Sequence, residues 1–146
     1  MTLFMETTQI NAERTVNEIQ GILSGHGATQ ILLDFVGKNV ESVSFKYEVS
    51  GQMIPFYLPC RWRELETLFR QSGKRPKSDD SFESWSRRVA WRQILRWVEA
   101  QFALVETGMV KVQEVFLPYA QYPDGKTIYE KLEQKGFSAL EYKPND

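Results

Sequence analysis

The spacing of apolar and polar residues divides the chain into elements of different period. Asn11 is a favourable helix N-cap, Glu13 suits a first turn, and Val16, Ile19, Ile22 and Leu23 recur at helical spacing until Gly25. That pattern predicts a first helix of about four turns. Residues 28–36 are rich in Ile, Leu, Phe and Val without helical period and read as a strand, with a turn at Gly37, Lys38 and Asn39. From Val43 the alternation is clean: Val43, Phe45, Tyr47 and Val49 fall on one face and Ser42, Ser44, Lys46 and Glu48 on the other. Ser50 and Gly51 mark a hairpin, after which Ile54, Phe56 and Leu58 alternate again. Pro55 cannot donate to a ladder, so this third strand belongs at a sheet edge. The expectation is a three-stranded antiparallel meander behind one helix.

Pro59 closes the sheet, and Trp62, Leu65, Leu68 and Phe69 mark a second amphipathic helix from about Arg61 to Gln71. Residues 72–81 combine Gly73, Pro76, three cations and the Asp79–Asp80 pair with no apolar residue, which reads as a solvated, mobile loop. A long helix is then expected from about Phe82 to Thr107, with Trp85, Val89, Ile94, Leu95, Val98, Phe102 and Val105 as a broad apolar stripe. At 1.5 Å per residue it would be roughly 39 Å long. Residues 109–119 are apolar and ambiguous between helix and strand, with Pro118 limiting any helix. A turn at Pro123, Asp124 and Gly125 precedes a short last helix over 127–134. The fold class is therefore α+β, in one domain spanning residues 1–146.

Composition adds the setting. At 42% hydrophobic and 13% aromatic in 146 residues, the chain is apolar enough to build one core without a metal or disulfide staple. Cys60 is the single cysteine, so no intramolecular disulfide forms and a reducing, cytoplasmic location is expected. Residues 1–10 lack the basic and apolar regions of an export signal, and no stretch reaches the 18 to 20 apolar residues of a membrane span. No membrane association is expected.

Catalytic and metal chemistry finds little support. Residues 120–127 end in Gly125, Lys126 and Thr127, which fits a relaxed phosphate-loop pattern, but Ala120 replaces the first glycine and Pro123 removes an N–H from the wrap. The plain turn is the stronger reading. His26, the single histidine, lies between Gly25 and Gly27 at a helix end, where it would serve as a cap. One His and one Cys make no zinc site of ordinary ligand count. No catalytic residue, metal or cofactor is assigned, and an enzyme stays the third choice.

The remaining signal is charge. Residues 61–96 carry ten basic against five acidic residues, whereas 1–60 carry three against six and 97–146 five against eight. On the long helix Arg88, Arg92 and Arg96 stand one turn apart, with Arg87 at the edge of that stripe and Trp91 beside it. Arg61, Arg63 and Arg70 from the second helix, and Lys74, Arg75 and Lys77 from the loop, would enlarge it. Cations with an aromatic beside them suit phosphate contact and base stacking, so DNA or RNA is the expected partner. The competing reading has the arginines covering apolar surface with their stems or pairing with Glu64, Glu66, Glu83 and Glu99, in a chain whose pI of about 5.9 is not basic.

The segments TVNEIQGIL (15–23), VAWRQILRWVEAQFALVETGMV (89–110) and EVFLPY (114–119) resemble small uncharacterised proteins encoded by bacteriophages and prophages. The resemblance covers about half the chain. It implies a mobile-element setting in which small accessory proteins handle nucleic acid or blunt host defences, and it carries no site residues. The order helix, meander, helix is also that of a double-stranded-RNA-binding fold. The leading expectation is thus a non-enzymatic, nucleic-acid-associated accessory module. The alternative is a protein-interaction or ligand-sequestering factor acting on a host target through exposed aromatics of the 85–97 helix or the Pro55 edge strand, in which case a homo-oligomer is expected.

Overall fold

A computed structural model of the chain describes residues 2–145. The first helix, α1 (Ala12–Gly25), starts where Asn11 accepts a hydrogen bond from the Arg14 amide at 2.8 Å. Three strands follow, β1 (Gln30–Val36), β2 (Asn39–Val49) and β3 (Gln52–Pro59), in an antiparallel sheet of order β1-β2-β3. The β2–β3 turn has Ser50 at φ +51° and Gly51 at φ +78°, the primed geometry that matches the twist of a two-residue hairpin. Helices α2 (Trp62–Gln71) and α3 (Phe82–Glu106) come next, then the single turn α4 (Val112–Val115) and α5 (Ile128–Gln134). The α+β class, the meander and the long helix stand as the periodicity predicts. Among the described residues no helix is long and apolar enough to cross a membrane.

One face of the sheet is dry. Val43, Phe45, Phe56 and Leu58 are buried, and Ile31, Leu33, Tyr47 and Ile54 pack around them. Helix α1 contributes Val16, Ile19 and Leu23 to this core, and α3 contributes Trp91, Leu95, Val98 and Phe102. The ambiguous stretch 109–119 resolves as α4 followed by a 3-10 turn (Leu117–Tyr119) in which Pro118 sits where its missing N–H costs nothing. It brings Phe116 edge-on to Phe45, with ring centroids 5.7 Å apart. A satellite cluster of Phe69, Trp85 and Val89 joins α2 to α3, and Phe69 and Trp85 stack with centroids 3.8 Å apart.

Helix α3 is the axis of the molecule, with α1 and α2 both packed on it. The N-terminal segment also lies across it, as Trp85 Nε1 donates to the Glu6 carbonyl at 2.9 Å and Gln93 to that of Phe4 at 2.8 Å. The connection 72–81, expected as a mobile loop, is tied at both ends. Lys74 pairs with Glu6 at 2.6 Å and Asp80 with Arg88 at 2.7 Å.

Glu41 is the polar centre of the packing. The β1–β2 register shifts so that Asp34 faces Ser42 and Phe35 faces Val40, which leaves Glu41 without a β1 partner in a bulge on β2. Its carboxylate, largely shielded, accepts from Trp62 Nε1 at 3.2 Å, Arg63 at 3.2 Å and the buried Arg87 at 3.0 Å. Both guanidinium carbons also lie over the Trp62 ring, at 4.4 and 4.1 Å from its centroid. Burial pushes the Glu41 pKa up, but hydrogen bonds from Trp62 and Arg87 and the charges of Arg87 and Arg63 outweigh it and hold the carboxyl below its ordinary value. Replacing Glu41 by Ala leaves Arg87 shielded with only Glu83 beside it. A loss of about 3–5 kcal/mol of unfolding free energy, measured by urea titration, is expected.

A second clip joins the far ends of α1 and α3. His26 donates through Nδ1 to the Ile22 carbonyl at 2.7 Å and through Nε2 to Glu106 at 2.5 Å. Both acceptors are oxygens, so both ring nitrogens must carry protons. The Glu106 bond, and then the Ile22 bond, raise the His26 pKa. A raised folded pKa means the contribution is complete below the unfolded value of about 6.5 and disappears as pH climbs through the folded one. The unfolding free energy of the wild type is expected to fall over that window, and His26→Gln to lose the fall; urea titrations across pH 5.5–9 check both.

Candidate functional site

The predicted basic stripe on α3 points mainly inward. Arg87 and Arg92 are buried at 6% and 5% exposure, and Trp91 at 1% is part of the core, so none of the three faces solvent where a phosphate or base would sit. Arg92 instead crosses to α1, donating to Glu18 at 3.1 Å and to the Thr15 hydroxyl at 3.2 Å. Arg88 makes two bonds to Asp80, at 3.2 and 2.7 Å, and holds that carboxyl below its ordinary range. Arg96 reaches solvent and pairs with Glu99. On α2, Arg70 pairs with Glu66 and lies over Phe82, while Arg63 belongs to the Glu41 cluster.

Of the eleven predicted residues, Arg61, Arg75 and Lys77 are exposed and have no ion pair among the described residues. Arg61 lies apart from the other two. Arg61 precedes α2 and Arg75 and Lys77 follow it, so a ten-residue helix, about 15 Å long, separates them. Three of the acids named as possible partners, Glu66, Glu83 and Glu99, do pair with arginines.

The other candidate chemistry is engaged structurally. Thr127 caps α5, with its hydroxyl accepting from the Glu130 amide at 3.1 Å while Glu130 accepts from the Thr127 amide at 3.1 Å. A carboxylate thus occupies the place a phosphate would take, and residues 122–126 form the plain turn. Burial pushes the Cys60 thiol up to about 12, which suppresses the thiolate. His26 contacts Glu106 at one end of α3, and Cys60 lies by Glu41 and Arg87 near the other, about 28 Å along the helix. A Cys–His pair is therefore not formed. Among the described residues no three His, Cys, Asp or Glu side chains converge as for a metal.

What the fold leaves unpartnered lies around β1. The side chains of Gln30, Leu32 and Asp34 project from the sheet face opposite the core, across from Lys46, Ser44 and Ser42. That face is a shallow trough of about 650 Å³, bounded by Leu32 on one side and Pro55 and Tyr57 on the other. On the core side, Leu33 and Phe35 border a cleft with Ala12, Val16 and Asn17 of α1. Leu32, Phe35 and Val36 are 62%, 57% and 57% exposed. The bulge falls on β2, so β1 itself is an uninterrupted seven-residue strand, and no strand lies beyond it among the described residues. The edge of β3 differs: Gln121 donates to the Pro55 carbonyl at 2.9 Å and Ala120 bridges Phe56.

This apolar edge was not among the predicted site residues. Its signal is the lack of alternation over 28–36, because apolar residues at both parities place some on the face opposite the core, which carries Ser42, Ser44 and Lys46 on β2.

No family model matches the chain, and neither a curated protein nor a solved structure matches it.

Two arginines one helical turn apart should answer differently to the same substitution. Arg92→Gln breaks a buried contact between α1 and α3 and is expected to cost about 1–3 kcal/mol, whereas Arg96→Gln should stay within about 0.5 kcal/mol. Paired urea melts at pH 7 measure the difference.

Proposed function

We propose that this chain is a protein-interaction module that receives an extended segment of a partner along the free edge of β1. The observation that carries the reading is a regular seven-residue edge strand whose Leu32, Phe35 and Val36 are more than half exposed. Natural sheets blunt such edges with lysine, proline or a bulge, because unpaired backbone donors and acceptors beside apolar side chains recruit other strands. β1 has none of these. Its one charge, Asp34, is turned onto the sheet face by a 2.7 Å hydrogen bond from Ser42. Main-chain pairing would supply affinity and alternate side chains specificity. In the setting that the phage resemblance implies, such a module acts on a protein of the host cell or on its own kind.

The nucleic-acid reading has less to rest on. Its exposed, unpaired cations are Arg61, Arg75 and Lys77, at opposite ends of α2, and phosphate tracking gains from cations that share a face.

A photo-reactive benzoylphenylalanine placed at Leu32 should give a discrete protein adduct in cells that natively make the chain, and the same residue placed at Glu133 on α5 should not. Equal labelling from both positions, or none from position 32, would overturn the assignment.

A further inference from the structure

We infer that the strand received by β1 is β1 of a second copy, paired antiparallel about a two-fold axis through Leu32 and perpendicular to the sheet; this rests on the strand-receiving reading above. Such an axis keeps the helices of both copies on the same side of one continuous six-stranded sheet. It also requires that facing residues share a face, and therefore differ in number by an even step. Few registers meet that condition with useful overlap, and their side-chain pairs separate them.

With the axis at Asp34, two carboxylates face each other, which is destabilising. With the axis at Leu33, each Asp34 is set against the Leu32 of the other copy, and at Ile31 each Leu32 meets Gln30 and each Leu33 meets Thr29. The axis at Leu32 mismatches nothing from 30 to 34 and sets only Phe35 against Thr29 beyond them. Leu32 faces Leu32 and Gln30 faces Asp34 on the open side, and Ile31 faces Leu33 on the core side. The amide of Gln30 can donate to the Asp34 carboxylate, which already accepts from Ser42 through Oδ2 and has its other oxygen to offer. Apolar residues thus meet apolar ones and the single acid meets a donor, in both halves at once. The exposed Leu32 becomes the centre of the contact and ceases to be a defect of the wet face. An isologous contact of this kind closes at two copies, so the edge is consumed and no filament grows.

The register makes a signed prediction that a generic sticky edge does not. Gln30→Lys should tighten the dimer by about three- to tenfold, because the ammonium meets Asp34 of the other copy, and Gln30→Asp should weaken it by a similar factor. Leu32→Lys, which sets two ammonium groups together on the axis, should weaken it more than tenfold. All three changes are at exposed positions, and thermal melts confirm that each variant folds. Sedimentation equilibrium of the full-length protein reads the dissociation constants. Leu32→Cys should in addition oxidise to a single disulfide-linked dimer, since residues facing across an antiparallel pair stand about 4.5–5.5 Å apart at Cα, within disulfide reach. The buried Cys60 stays out of that reaction. Opposite or equal effects of the two Gln30 changes overturn the register. A wild type that stays monomeric at every concentration overturns self-pairing. If position 32 still cross-links to a different protein in cells, the strand-receiving reading survives that result; if it does not, both fall.

Discussion

The structure depends on matching one shielded carboxylate. Glu41 sits in the β2 bulge and is held by Trp62, Arg63 and Arg87, so a single side chain fixes β2 against α2 and α3. Removing such a group costs more than making it gains, because Trp62 and the buried Arg87 each lose an acceptor in a poorly solvated place. The arrangement therefore acts as a specificity device. Trp62 and Arg63 from α2 and Arg87 from α3 all reach the bulge, and the Cys60 amide, which donates to the Glu41 carbonyl at 3.0 Å, pins the end of β3 to the same residue.

That role explains where the arginines of α3 went. A helix with one neighbour presents a polar face to water, and the i, i+4, i+8 spacing of Arg88, Arg92 and Arg96 reads as that face. α3 has α1 on one side, α2 on another and the N-terminal segment across it, so the polar stripe is itself an interface. Arginine suits the position, because its stem packs like an apolar chain and its fork satisfies an acid on the adjoining element. Glu18 on α1, Glu41 on β2 and Asp80 in the 72–81 connection are those acids. Charge counted along the chain cannot distinguish a cation facing solvent from one facing an acid distant in sequence, and Glu18 is 74 residues from Arg92. The basic centre of the sequence is consequently neutralised in part by acids of its flank, Glu18 and Glu41, and in part by its own Glu66, Asp80 and Glu83.

The fold was far more legible than the site. Helix and strand periods are local: Val16, Ile19 and Leu23, Val43 and Phe45, and Trp85, Val89, Leu95, Val98 and Phe102 are buried as their spacing nominates, with Tyr47 and Ile94 packed against that core and Val49 half-buried outside it. Residues 109–119 were ambiguous because their apolar side chains serve a one-turn helix and a 3-10 turn, both too short to show a period. The candidate surface was legible in one respect. Residues 28–36 break the alternation that β2 keeps, and the residue responsible on the wet face is Leu32. The meander and the edge place of β3 were legible; what stayed hidden was which edge the rest of the chain reaches, since residues 120–121 meet Pro55 and Phe56 only in the tertiary structure.

The two edges of the sheet show why that last point matters for function. β3 carries Pro55, which cannot donate, and the chain spends its own residues 120–121 on the carbonyl that remains. β1 is seven residues long, and among the described residues no strand pairs with its outer edge. A sheet that closes one edge intramolecularly and exposes leucine, phenylalanine and valine at the other is asymmetric in a way that core packing does not require: Leu32 and Val36 could be polar without loss to the interior. The same strand keeps Ile31 and Leu33 for the core, so selection for packing alone would have left the alternation of β2 on β1 as well. The proposed strand-receiving role gives the apolar residues on the open side a partner outside the fold.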